Sequence, residues 1–149
     1  MTRNMGKENR PITNPQELGM VVKNEPDEIV VEGDLANSVF KIKATGKVAW
    51  VIAFGAVAVA VIAVLTLPAG AAAGPAGLIA DGVIAGVATT TAAASIGVLG
   101  LSTTIAAIGI GVGARNSNVL KTIRNDYVVL SKSKNRLVLR KKKIFVYLY

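Results

Sequence analysis

The chain contains no cysteine and no histidine, and aromatic residues make up only 5% of it. Without thiols there are no disulfide staples, thiolate nucleophiles or cysteine-based zinc sites, and without imidazole there is no histidine base, ligand or pH switch near neutrality. The carboxylates do not cluster in any plausible site, so neither enzymatic activity, a cofactor nor a metal is expected. Charge is absent from one region in particular. Between Lys47 and Arg115 the sole ionisable side chain is Asp81.

What the chain does have is an apolar middle. Hydrophobic residues make up 52% of it, mostly Ala, Val, Ile and Leu, and together with glycine they concentrate between the two charged ends rather than spreading along the chain. Residues 1–47 carry seven basic and seven acidic groups, whereas residues 115–149 carry ten basic and one acidic, so nearly all of the net charge of +8 follows the apolar region.

Val48 to Leu67 is free of charge for twenty residues, about 30 Å of helix, which matches a hydrocarbon core. Trp50 near its start suits the headgroup region, and Pro68 ends the run. A cleaved signal is disfavoured because a long polar segment precedes it and the run exceeds the ~7–15 residues of a signal core, although the Ala-rich stretch after Pro68 mimics a cleavage site. Leu78 to Ala114 would be about 55 Å long as one helix, too long for a single perpendicular span. Asp81 and Thr89, Thr90 and Thr91 make its first part more polar, so the second span is placed at 93–114, with 78–92 as an outer helix or re-entrant segment. A third crossing is the alternative, and it would put the ends on opposite sides.

The fold class expected is therefore a membrane protein, mainly α: a two-span Gly/Ala-rich transmembrane helical hairpin with a small cytoplasmic β segment at its C-terminus. Residues 1–33 read as a flexible polar arm with one short strand, Glu28 to Glu32, and 34–124 as the membrane domain. Within that domain, Asp34 caps a helix over 34–47 that is either interfacial or packed on the C-terminal segment. The first span, 48–67, is followed by a loop and outer helix over 68–92. The second, 93–114, is followed by a helical extension over 115–124. Residues 125–149 read as a basic β-hairpin, with Tyr127 to Leu130 and Arg136 to Arg140 around a five-residue turn, and Ile144 to Tyr149 as a third strand. Basic residues flank the spans while the loop between them has none, which places both termini in the cytoplasm.

Small residues recur at helical spacing. Gly82 and Gly86, Gly109 and Gly113, and Ala56 and Ala60 are candidate helix-packing positions, because lipid gives no hydrophobic reward for pairing and close backbone approach takes its place. They serve either packing within one hairpin or assembly of several into a homo-oligomer. Thr89, Thr90, Thr91, Ser95, Ser102, Thr103 and Thr104 would then line a wet path or bond to carbonyls of their own helices. Asp81 is an intramembrane carboxylate or, nearer the loop glycines, a solvated interfacial one. Lys132, Lys134, Arg136, Arg140, Lys141, Lys142 and Lys143 form a candidate anionic lipid-binding cluster. A solvated positive face is the plainer reading, and nucleic acid a minor one despite Tyr127, Phe145, Tyr147 and Tyr149. Gly109, Gly111 and Gly113 are no dinucleotide fingerprint, since no strand precedes them.

With a Gly/Ala-rich hairpin between a polar arm and a small β segment, residues 41–124 resemble, as a class, the small bacterial two-transmembrane proteins that act as toxins or as membrane effectors of phage defence. The resemblance implies an inner-membrane protein whose hairpins assemble to permeabilise the membrane, with lipids and a cytoplasmic protein as partners. The alternative is a non-catalytic anchor or scaffold that recruits a cytoplasmic partner.

Overall fold

Asn14 opens the first helix: its side chain accepts a hydrogen bond from the Glu17 N–H at 3.0 Å, and Pro15 takes the first helical position, where its missing N–H costs nothing. In this computed structural model, which describes residues 10–67 and 81–142 and of Asp81 the backbone alone, the helix is α1 (Pro15–Lys23). There follow β1 (Glu28–Glu32), α2 (Asp34–Ala44), α3 (Lys47–Leu65), α4 (Asp81–Thr91), α5 (Ala93–Leu99), α6 (Leu101–Ala114), α7 (Asn118–Asp126), β2 (Tyr127–Ser133) and β3 (Arg136–Lys141). The expected loop after Pro68 and the start of the outer helix expected from Leu78, together 68–80, lie outside the described residues, as do Lys143 and the strand expected at Ile144 to Tyr149.

The two-span hairpin is not what forms. Among the described helices α3 alone is long and apolar enough to cross a bilayer, with 19 residues. The second expected span is cut at Gly100, whose φ of 90° and ψ of 163° end α5 and let the chain restart as α6. Only glycine enters that backbone region without strain. At 14 residues α6 is about 21 Å long, too short to span. A second break at Ala92 bends α4 against α5 by 99°.

Instead, α6 becomes the core of a packed body. Thr103, Thr104 and all of 106–112 are buried, under α1, α2, α3 and α4. Glycines make this possible. A Cβ on Gly109 would stand 2.9 Å from Cβ of Pro15, and one on Gly111 would stand 2.6 Å from a methyl of Val61. Cβ atoms on Gly113 and Gly19 would strike the carbonyls of Gln16 and Ile110, so α1 lies on α6 backbone to backbone. The segment expected to be a loose arm thus supplies a helix, whose buried Leu18, Gly19 and Val22 face the core.

The strands form a three-stranded antiparallel sheet in the order β1-β3-β2. Ile29 sits opposite Leu139 and Val31 opposite Leu137, all fully buried, and Ile12 adds a parallel bridge to Val31 on the free edge of β1. Ser133 pairs with Arg136, so the hairpin turns on Lys134 and Asn135 rather than on five residues, and the ladder slips between Val129 and Ser131. Leu35, Ala36, Val39 and Ile42 are buried as α2 packs on the sheet and on α6. Because β1 precedes the apolar region and β3 follows it, the two charged ends of the chain fold as one unit.

Candidate functional site

α3 is apolar all the way round but covered on one side only. Trp50, Ala53, Val57, Ala60, Val61 and Val64, which share one face of the helix, pack towards α4, α5 and α6 and are buried. The opposite stripe is bare: Val48 is 76% exposed, Val51 65%, Ile52 52%, Val59 56% and Ile62 63%, with exposed Gly55 between them. A helix on the surface of a water-facing fold places polar residues there. Here a continuous aliphatic ridge runs the length of the helix, without charge, hydroxyl or aromatic ring.

Its two ends differ in chemistry. At the start, Lys47 is exposed, and α7 reaches across to set the Arg124 guanidinium 5.1 Å from the centre of the Trp50 ring and the Lys121 ammonium 4.9 Å from that of Phe54. Trp50 is 6% exposed, so its ring packs under Arg124 rather than meeting a headgroup layer. At the far end the Thr66 hydroxyl donates to the Ala63 carbonyl. The exposed hydroxyls of Thr89, Thr90 and Thr91 likewise donate to the carbonyls of Gly86 and Val87 within α4. Ser95 and Thr104 bond to each other at 2.9 Å in the core. Of the hydroxyls named as a wet path, these five are therefore already bonded within the protein.

The candidate packing residues separate into two groups. Gly109 and Gly113 receive α1, Ala60 is fully buried and Ala56 half-buried against the core. Gly82 and Gly86 are exposed, and a Cβ on either would meet nothing within 4 Å. The side chain of Asp81 lies outside the described residues.

The basic cluster is also divided. Arg136 pairs with Glu32 at 2.5 Å and Lys141 with Glu25 at 2.9 Å, both across to the N-terminal segment, and the latter bond raises the Lys141 pKa. Lys132 lies over Phe40, 5.0 Å from its ring centre, while Lys134 and Arg140 are exposed on the hairpin and Lys142 follows it. Four cations, Lys132, Lys134, Arg140 and Lys142, thus make no ion pair among the described residues.

Sequence reasoning missed the groups that bind α2 to α7. Lys43 donates to the carbonyls of Ile123, Arg124 and Tyr127 at 2.9, 3.0 and 2.6 Å, while Arg124 donates to that of Ile42 at 2.8 Å. Burial first, then the charges of Lys142 and Arg124, push the Lys43 pKa down. The Tyr127 hydroxyl donates to the Pro26 carbonyl at 2.5 Å, and burial, with Glu25, Asp27 and Asp126 nearby, pushes its pKa up. No local signal marks such pairs, because each joins residues some 80 to 100 positions apart.

Compared with protein-family models, with curated proteins and with solved structures, the chain gives no significant match. What it offers is a bare aliphatic ridge on one face of the body, with no His/Cys/Asp/Glu group able to hold a metal among the described residues.

Proposed function

We propose that the protein is a non-catalytic membrane anchor: α3 lies against a bilayer by its outer face, and the sheet is displayed in the aqueous phase to recruit a protein partner. The observation that carries this reading is the exposed stripe Val48, Val51, Ile52, Val59 and Ile62 on a helix whose inner face is filled by its own chain. Transfer of a Val or Ile side chain out of water contributes about 1.5–3 kcal/mol when complete, so several half-exposed residues together are enough for attachment. Protein interfaces draw most of their energy from Trp, Tyr and Arg. The ridge has none of these, which favours lipid as its occupant over a folded partner. Bonding of the exposed threonines within α4 points the same way, since a hydroxyl facing hydrocarbon must find its acceptor in its own helix.

The inner membrane of a bacterium is the compartment we assign, following the resemblance above, with the joined ends of the chain on its cytoplasmic side. The alternative of permeabilisation by assembled hairpins draws on small-residue faces that are here filled from within, at Gly109, Gly113 and Ala60.

The test is co-flotation of the purified protein with phospholipid vesicles, for wild type and for a variant with Val51, Ile52, Val59 and Ile62 changed to Asn. Wild type is expected to float and to resist a high-salt wash, and the variant to stay at the bottom of the gradient with unchanged helix content. Equal flotation of both would overturn the reading. So would a wild-type chain that ignores vesicles and pairs with itself through this face.

A further inference from the structure

α2 and the first turn of α6 enclose a polar cleft of about 440 Å³, lined by Asp34, Asn37, Ser38, Lys41, Ser102 and Thr103. Asp34, Ser38 and Ser102 also line an adjoining cavity of about 540 Å³, whose further walls include Leu35, Ala85, Ile105 and Ala106. One space is polar and the other largely apolar, and they share a border.

Three features of the polar space suit an anion. First, α6 starts after Gly100 with no side chain capping it, so the N–H groups of Leu101, Ser102 and Thr103 have no helical acceptor and point outward with the positive end of the helix. Second, Ser38 and Thr103 are only 7% and 4% exposed as residues, and their hydroxyls, which have no hydrogen-bond partner among the described residues, open onto the cleft rather than being sealed in the packing. Two hydroxyls that face one narrow cleft and bond to nothing in the protein are free to bond to what enters it. Third, the Lys41 ammonium makes no ion pair among the described residues and lies 3.5 Å from where a Cβ on Gly100 would stand. Lys41 belongs to the last turn of α2, where it complements that helix's dipole, but it also faces the positive start of α6, and an anion between the two would be attracted by both.

We infer that this is a binding site for an anionic amphiphile carrying a phosphate group. The phosphate sits between Lys41 and the start of α6, taking bonds from the free N–H groups and from the hydroxyls of Ser38 and Thr103. This set of donors exceeds what the two oxygens of a carboxylate use, and it suits the three or four oxygens of a phosphate. The hydrocarbon part lies in the adjoining cavity against Leu35, Ala85, Ile105 and Ala106. Asp34 sets the polarity of the ligand. It lies two turns before Lys41 on α2, about 10 Å along the axis, and keeps a second anionic group out of the apolar end. Such a ligand is either a membrane phospholipid or a water-soluble phosphate ester. The assignment does not rest on the role given to α3, which is on a different element.

The experiment is calorimetric titration of the full chain with dihexanoyl phosphatidate, hexyl phosphate and inorganic phosphate, each below any micellar threshold. We expect an amphiphile to bind, with inorganic phosphate weaker by about tenfold or more, because it leaves the apolar cavity unused. Tighter binding of dihexanoyl phosphatidate assigns a lipid, and tighter binding of hexyl phosphate a soluble ester. Lys41→Met and Thr103→Val should each weaken binding by about tenfold, while Asp34→Asn should tighten it. Thr103→Val removes an unbonded hydroxyl and should melt no lower than wild type, so its lost affinity cannot be put down to unfolding. No binding, binding indifferent to both substitutions, or phosphate alone binding as tightly as either amphiphile would each overturn the proposal.

Discussion

Lys43 and Arg124 hold the ends of each other's helices: the ammonium of Lys43 takes three carbonyls at the close of α7, and the guanidinium of Arg124 takes that of Ile42 near the close of α2. Each cation meets the negative end of the neighbouring helix, where unpaired carbonyls gather. The exchange joins a helix before the apolar region to one after it.

Lys43→Met should therefore cost about 2 kcal/mol of stability, the scale of hydrogen bonds to a charged group, discounted for a site that is only half-buried. Arg124→Met should cost less, because the guanidinium gives up one good carbonyl bond and its place over Trp50. Denaturant unfolding of both single variants and the double variant checks this. Fully additive losses would show that the two bonds act separately rather than as one joint.

Tyr127 gives a pH test with a definite sign. Its folded pKa is raised above the ordinary 10.0, so its contribution is fully present below pH 10 and is lost as pH climbs above that value. Tyr127→Phe should cost about 1 kcal/mol at pH 8 for the lost bond to Pro26, and the gap to wild type should narrow as pH rises past 10. A gap that widens would mean that the phenol is not the group titrating. The lowered pKa of Lys43 acts oppositely in both proteins and cancels in the comparison.

The glycines separate by position. Gly113→Ala pushes a methyl into the backbone of α1 at Gln16 and should destabilise by about 2–3 kcal/mol, as overpacking against a rigid backbone does. Gly86→Ala meets open space within a helix and should stabilise by about 0.5–1 kcal/mol. Thermal melting of the two variants should move in opposite directions. If they moved together, the backbone contact between α1 and α6 would be in doubt.

Charge on the hairpin divides in the same way. Lys132→Gln, Lys134→Gln and Arg140→Gln together should weaken binding to anionic vesicles by up to about 3 kcal/mol, at ~1 kcal/mol per basic residue. Arg136→Gln, whose guanidinium is engaged by Glu32, should leave vesicle binding nearly unchanged. Vesicle binding measured at two salt concentrations distinguishes them, and an equal response would show that ion pairing on the sheet does not matter.

Strand composition made β1, β2 and β3 legible in the sequence, since runs such as Glu28 to Glu32 are β-prone and bounded by turns. The apolar middle was legible as apolar and helical, but not as a folded body. Hydropathy registers that Thr103 to Val112 avoids water, and it is blind to whether lipid or protein does the covering. The break at Gly100 escaped because glycine inside an apolar run reads equally as a packing surface. Likewise Gly109 and Gly113 revealed a close approach without naming the approaching helix, which is α1, drawn from a segment with too short an apolar stripe to stand out. The cleft under Lys41 had no signature at all, since Ser38 and Thr103 are brought together only by the turn of α2 against α6.

The pairing of Glu32 with Arg136 spans 104 residues, and with synthesis at roughly 5–20 residues per second the partner strand arrives ~5–20 s after β1 has emerged. For that interval β1 has no neighbour but Ile12, and α3 is made before α6 exists to cover its inner face. The nascent chain is therefore at its greasiest while it is still incomplete, and delivery to a bilayer, or protection from its fellows, must act during translation rather than after release.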